Sequence, residues 1–209
     1  MEAAGLAADQ KKARRLNAAL VFLDETGFLT RPYVGRTWSP GGERPVITRR
    51  VRHREGVTVL GSLTLSPLRR RRGLYCRFLR GRSVTQEDLV AHLRDLRRRL
   101  AAPLAVVLDN LGTHKGKRLR AWCEKVGDVF LEFLPPYAPE LNPVEGAWGH
   151  GKRTTAAGRR VDTAEELEAL ARESMSAGDR EGLLRGFIKG TRLPLRFDLP
   201  QRIGSCQRE

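Results

Sequence analysis

Three short segments each bring an acidic residue to the end of an apolar or rigid stretch. Val21-Phe22-Leu23-Asp24-Glu25-Thr26-Gly27-Phe28 and Val106-Val107-Leu108-Asp109-Asn110 read as buried strands whose ends expose a carboxylate. Leu134-Pro135-Pro136-Tyr137-Ala138-Pro139-Glu140-Leu141-Asn142-Pro143-Val144-Glu145 reads as a proline-stiffened loop leading into a helix that begins with a glutamate. Two aspartates and a glutamate can hold a pair of divalent ions about 3.5–4 Å apart, the arrangement used for in-line displacement at phosphorus.

Each acid also has an ordinary explanation. Asp24 can be a turn aspartate satisfied by the backbone at Thr26 and Gly27. Asp109 can simply open a loop, helped by Asn110 and Gly112. Glu145 has the sharpest rival role: Asn142 looks like an N-cap, Pro143 suits the first helical position, and Glu145 falls third, where a capping-box glutamate sits. Taken together, the three motifs favour the metal site over three separate coincidences. Glu25 is excluded from it, because strand alternation sends adjacent side chains to opposite faces.

The same residues resemble a known family. Leu23-Asp24-Glu25-Thr26-Gly27, then Leu108-Asp109-Asn110 with His114 nearby, then the 134–145 segment, are similar to the catalytic domain of mariner-like transposases, in their bacterial insertion-sequence branch. The 35 residues between Asp109 and Glu145 match that superfamily's spacing, and Gly35-Arg36-Thr37-Trp38-Ser39-Pro40 with Gly41-Gly42 resembles the same branch. The likeness covers roughly residues 20–155.

The resemblance implies an α/β ribonuclease-H-like fold, a mixed five-stranded sheet flanked by helices. It implies metal-dependent phosphodiester cleavage and strand transfer at transposon ends. Asp24 would bridge two Mg²⁺ ions, Mn²⁺ being a working substitute, and Asp109 and Glu145 would each complete one. His114 would touch DNA or order water near the metals, with an N-cap or packing role as its alternative. Trp148 and Lys152 lie three and seven residues after Glu145 and so share its helix face; Lys152 would contact a phosphate, with Arg153 beside it, and Trp148 is read as packing. Arg52 and Arg54, in the basic run that begins at Arg49, are candidate DNA-backbone contacts, as are Arg69 to Arg72; a solvated turn is the alternative for each.

DNA, as transposon ends and as target, is the implied partner, and the 30–50 loop with Trp38 is the candidate surface for a homodimer. Relatives carry an N-terminal helix-turn-helix region. Asp24 lies too near Met1 to leave room for one, so end recognition is expected from a separate helix-turn-helix subunit or from a domain missing here. Two other readings stand beside the transposase: a non-cutting DNA-binding relic or regulator, and a stand-alone ribonuclease-H-like nuclease acting on hybrids or branched DNA.

The elements that must position these residues are legible from periodicity. Apolar residues 18–28 and the β-branched alternation over 57–65 predict strands, with 73–79 as a partner strand. Thr85 followed by Asp88 is a capping signal, and Leu89, Leu93, Leu96 and Leu100 fall on one helical face. A strand over 104–108, a helix over 117–126 and a strand over 129–134 follow. Thr163 caps a further helix bearing Leu167 and Leu170, and a last helix groups Leu183, Leu184, Phe187 and Ile188 before Gly190. This gives a basic lead-in over 1–17, a catalytic domain over 18–160, and a helical extension with a basic tail over 161–209.

Bulk composition agrees with one sizeable core. The chain has 209 residues, 40% hydrophobic, with no apolar run long enough to cross a membrane. Cys76, Cys123 and Cys206 show neither disulfide nor zinc spacing, which points to a reducing compartment; the resemblance implies that this is the bacterial cytoplasm. The net charge of +15 points to a polyanionic partner. Arginine outnumbers lysine 32 to 7, a bias that a GC-rich genome also produces; that bias explains the choice of base better than the excess of positive charge. His53, His92 and His150 have no ligand spacing and read as surface residues.

Overall fold

The computed structural model describes residues 17–30, 41, 56–67, 71–191 and 193. Arg52 and Arg54, the loop around Trp38, and Arg69 and Arg70 lie outside them. Five strands, β1 (Ala19–Leu29), β2 (Gly56–Leu65), β3 (Arg72–Arg80), β4 (Leu104–Leu108) and β5 (Val129–Phe133), form one sheet in the order β3-β2-β1-β4-β5. β1–β2 and β2–β3 are antiparallel, whereas β1–β4 and β4–β5 are parallel. The helices are α1 (Gln86–Leu100), α2 (Lys117–Val126), α3 (Val144–Thr154), α4 (Ala164–Gly178) and α5 (Glu181–Gly190). This mixed five-stranded sheet with helices on both faces is the ribonuclease-H-like fold.

Alternation along the strands builds two cores. Ala19, Val21 and Leu23 of β1 join Val106 and Leu108 of β4 and Leu89, Leu93, Leu96 and Leu119 of α1 and α2. Leu20 and Phe22, with Ala105 and Val107, face Val144, Trp148, Leu167, Leu170 and Leu184 of α3, α4 and α5. A central strand buried on both sides needs a continuous apolar run, which residues 18–23 supply. The helices of 161–190, read from sequence as an extension, contribute Leu167, Met175 and Ile188 to the same core as β1. α4 approaches α3 closely at Gly151, where a Cβ would lie 2.8 Å from the Ser174 carbonyl oxygen.

The caps explain where two helices begin. Thr85 Oγ1 accepts from the Asp88 backbone N–H while the Asp88 carboxylate accepts from the Thr85 N–H. Thr163 accepts from the Glu166 N–H at the start of α4. Ala101 ends α1 in a left-handed conformation, φ 47°, and its N–H bonds to the Arg97 carbonyl.

Two expectations change. His92 is buried rather than on the surface: it lies on the inner face of α1, 2.8 Å from Ser62 Oγ. The apolar run around it conceals a polar pair whose partner is 30 residues distant. Arg72 is not a solvated turn residue. It opens β3, its side chain is only 4% exposed, and it pairs with Glu181 of α5.

Candidate active site

The site arises where the sheet forks. β1 pairs with β4 only from Ala19↔Leu104 to Phe22↔Val107, while its pairing with β2 continues to Leu29↔Gly56. Beyond Phe22 one edge of β1 therefore has no β4 neighbour, and Asp24 and Asp109 come to the two sides of the opening. Asp24 sits inside β1 opposite Gly61, not at the strand's end. It shares the parity of Leu20 and Phe22, so it faces α3.

α3 covers that face. Trp148 Nε1 donates to Asp24 Oδ2 at 3.3 Å, and Lys152 Nζ donates to Thr26 Oγ1 at 2.6 Å while lying 5.6 Å from the Phe28 ring centroid. Glu145, Trp148 and Lys152 thus run along Asp24, Thr26 and Phe28, matching helical offsets to alternate strand residues. Trp148 is more than packing, because its indole N–H is a polar contact of Asp24. Gly61 makes room for it: a Cβ there would lie 2.3 Å from Trp148 Cη2.

The start of α3 is tied to β1 by Asn142. Its Nδ2 donates to the Leu23 carbonyl at 3.2 Å, and its Oδ1 accepts from the Val144 N–H at 3.3 Å. The Asn142 N–H is already bonded to the Pro139 carbonyl at 2.9 Å, so a reciprocal capping bond from Glu145 is not what holds this turn. Glu145 is exposed and lines a cleft of ≈ 450 Å³ together with Asp24, Asp109, Tyr137 and Pro135. Tyr137, fully exposed with φ 59°, stands on the cleft's proline-rich wall.

Electrostatics single out Asp24. Burial, and then the neighbouring Glu145 charge, push its pKa up to about 7. Lys152 is the nearby cation, and burial lowers its pKa although Glu145 and Asp24 oppose this. Among the described residues no three His, Cys, Asp or Glu side chains converge closely enough to enclose a metal ion. The donor chemistry nevertheless fits a hard divalent cation: three carboxylates share one open cleft, with no thiol among its lining residues.

His114 lies inside the protein, fully buried. Its Nδ1 donates to Asp109 Oδ1 at 2.6 Å and its Nε2 to Glu25 Oε1 at 3.1 Å. Burial disfavours the charged ring, but Glu25 and Asp109 outweigh burial and raise its pKa. A ring enclosed in this way is placed to orient Asp109 rather than to meet a DNA groove. Arg153 is exposed on α3. Glu25 does face away from Asp24, as alternation requires, yet it reaches the site through His114.

Comparison with known proteins agrees with this architecture. The family model described as DDE superfamily endonuclease matches residues 19–168. The chain belongs to that family. Among solved structures, the Mos1 mariner paired-end complex with Mn is similar with a TM-score of 0.63 at 19% identity, over 91% of this chain and 57% of that one. The catalytic domain of Mos1 mariner transposase is similar with a TM-score of 0.55 at 19% identity, over 91% of this chain and 85% of that one. These likenesses establish a common fold. An uncharacterized protein, y4pE/y4sA, of Sinorhizobium fredii (strain NBRC 101917 / NGR234) is 40% identical over 65 residues, 30% of this chain and 44% of that protein. The chain thus spans less than half of the rhizobial relative and under two thirds of the Mos1 chain in the paired-end complex.

Proposed function

We propose that this DDE-superfamily chain is the catalytic domain of a transposase of the insertion-sequence type, cleaving a DNA phosphodiester and joining the freed 3′-hydroxyl to another strand. The observation that carries this is the meeting of Asp24 of β1, Asp109 just past the end of β4, and Glu145 of α3 on one cleft. Asp24, Asp109 and Glu145 would hold Mg²⁺, or Mn²⁺ in its place; Mos1 has been solved with each. When bound, the ions lower the pKa of the attacking water or hydroxyl and stabilise the departing oxygen.

The chain's own residues do the rest. Trp148 fixes one oxygen of Asp24, and His114 fixes one oxygen of Asp109. Lys152, held at Thr26 beside these acids, is placed to meet a phosphate next to the scissile bond. The exposed proline-rich wall leaves the cleft open to a long polymer rather than closing it over a small substrate.

The test is Mn²⁺-dependent nicking of plasmid DNA by the native protein and by Asp109→Ala. Nicking that depends on metal and disappears in the variant is expected, a loss of at least about 10²-fold as for removal of a central electrostatic group. Equal nicking by both would mean a contaminating nuclease. Mn²⁺ binding without nicking of plasmid, duplex ends, hybrids or junctions would favour the non-cutting relic. Preference for RNA–DNA hybrids would favour the stand-alone nuclease.

A further inference from the structure

Glu25 is the acid that the site itself does not use. It follows Asp24 in β1 and so points to the α1–α2 side, among residues such as Leu23 and Leu60. Its side chain is only 14% exposed. One oxygen, Oε1, accepts from His114; the other, Oε2, is buried without a hydrogen-bond partner among the described residues. A buried carboxylate satisfied on one side is costly to keep, and an apolar side chain of the same size would suit this face better for packing alone. What the carboxylate does provide is a firm anchor for His114, which is 0% exposed and held at both ring nitrogens.

The consequence reaches Asp109. Both hydrogen bonds described for its side chain, from His114 Nδ1 at 2.6 Å and from the Leu111 N–H at 3.1 Å, fall on Oδ1. Two donors on one oxygen set the rotation of the carboxylate about its Cβ–Cγ bond and leave Oδ2 for the cleft. The Leu111 bond is a local turn and would form in any loop of this shape. The His114 bond spans only five residues, but the far side of the ring is held by Glu25 of β1, 89 residues away, so its geometry is fixed from outside the loop.

We propose that Glu25 is a positioning residue: acting through His114, it orients Asp109 so that Oδ2 is presented to a divalent cation. This rests on the reading of Asp109 as a metal ligand. Outer partners of this kind typically change metal affinity about 10–100-fold when removed.

The experiment measures Mn²⁺ binding to the full chain without DNA, by titration calorimetry, with melting temperature recorded for each metal-free protein. Glu25→Met keeps the volume but loses the acceptor; Glu25→Gln keeps an acceptor oxygen for His114; His114→Phe removes the link. The expected result is Mn²⁺ binding weakened about 10–100-fold in Glu25→Met with no fall in melting temperature, and substantial retention in Glu25→Gln. The Glu25→Met/His114→Phe double variant should bind no more weakly than His114→Phe alone.

Native affinity in Glu25→Met overturns the proposal. So does a loss in Glu25→Gln as large as in Glu25→Met, or additive losses in the double variant. Should Glu25→Met not fold, the comparison of Glu25→Gln with His114→Phe decides: equal losses overturn the proposal, and a much smaller loss in Glu25→Gln supports it. Native protein that binds Mn²⁺ but cuts no DNA would sink the transposase reading while leaving this comparison intact. Native protein that binds no Mn²⁺ would sink the positioning role whatever the nicking assay shows.

Discussion

His92 and His114 are both buried imidazoles, and they respond to pH in opposite directions. Burial, with Arg77 nearby, lowers the His92 pKa from 6.5 to about 4, while Asp95 partly opposes this. A depressed folded-state pKa contributes stability above the unfolded value and loses it as pH falls, here between about 6.5 and 4. The shift corresponds to about 3 kcal/mol once complete. His114 has a raised pKa, so its contribution is intact below 6.5 and is lost only as pH rises through the folded value. Burial of Asp24, whose pKa is raised to about 7, works the other way over the same range, so the His92 contribution is read as a difference. Between pH 7 and pH 4 urea unfolding should show native stability falling relative to that of His92→Gln; parallel pH profiles would mean that His92 is not buried neutral. Asp24 and Asp109 stood out in the sequence because each follows an apolar run, and Glu145 because it follows a proline-rich loop at a helix start. The partners of His92 and His114 were not, since Ser62 and Glu25 lie 30 and 89 residues away and no local spacing announces them.

α3 is the element on which the site depends, because it carries Glu145, Trp148 and Lys152 along one face of β1. Its seat is Gly61. Gly61→Ala would push a methyl into the Trp148 ring, at a cost of about 1–3 kcal/mol as for other overpacked cores. Trp148→Phe keeps most of the ring but removes the donor to Asp24, and should cost about 1–3 kcal/mol if that carboxylate is left short of a partner. Chemical denaturation of both variants, with Mn²⁺-dependent nicking in parallel, checks this; native stability in Gly61→Ala would show that the ring does not sit over β2. The helix itself was legible from Pro143 and the offsets of three and seven. Its starting residue was misread by one position, since Asn142 spends its side chain on β1 as well as on the helix. Trp148 read as packing for a physical reason: a sequence shows an indole's bulk, while the direction of its N–H depends on which strand lies beneath.

At the level of the molecule, charge and openness belong together. The net charge of +15 is carried mostly by arginine, and several arginines are engaged within the fold, as Arg72, Arg77, Arg82 and Arg97 are with acids of other segments. The remainder should still make DNA binding strongly salt-dependent. Roughly six phosphate contacts would lower affinity about 10³-fold between 50 and 200 mM salt. Fluorescence anisotropy with a labelled duplex measures this, and a flat response would argue that the charge reflects codon bias. The five-stranded mixed sheet was legible only through family resemblance. The order of its strands and the pairing of its cores were not read at all, because alternation assigns a residue to a face but does not say which strand lies beside it.

The two aspartates are set relative to one another by a backbone ladder of four residue pairs, Ala19↔Leu104 to Phe22↔Val107. Such a ladder reads no side chain. Mutational drift can therefore exchange the packing on either face, one volume-conserving step at a time, without parting Asp24 from Asp109. A single-residue insertion or deletion within 19–24 or 104–109 is another matter: it would turn a carboxylate to the wrong side of the sheet. A gene for this protein should thus accept many volume-conserving substitutions at 19–23 and 104–108, none at the two aspartates, and almost no change in the length of either segment.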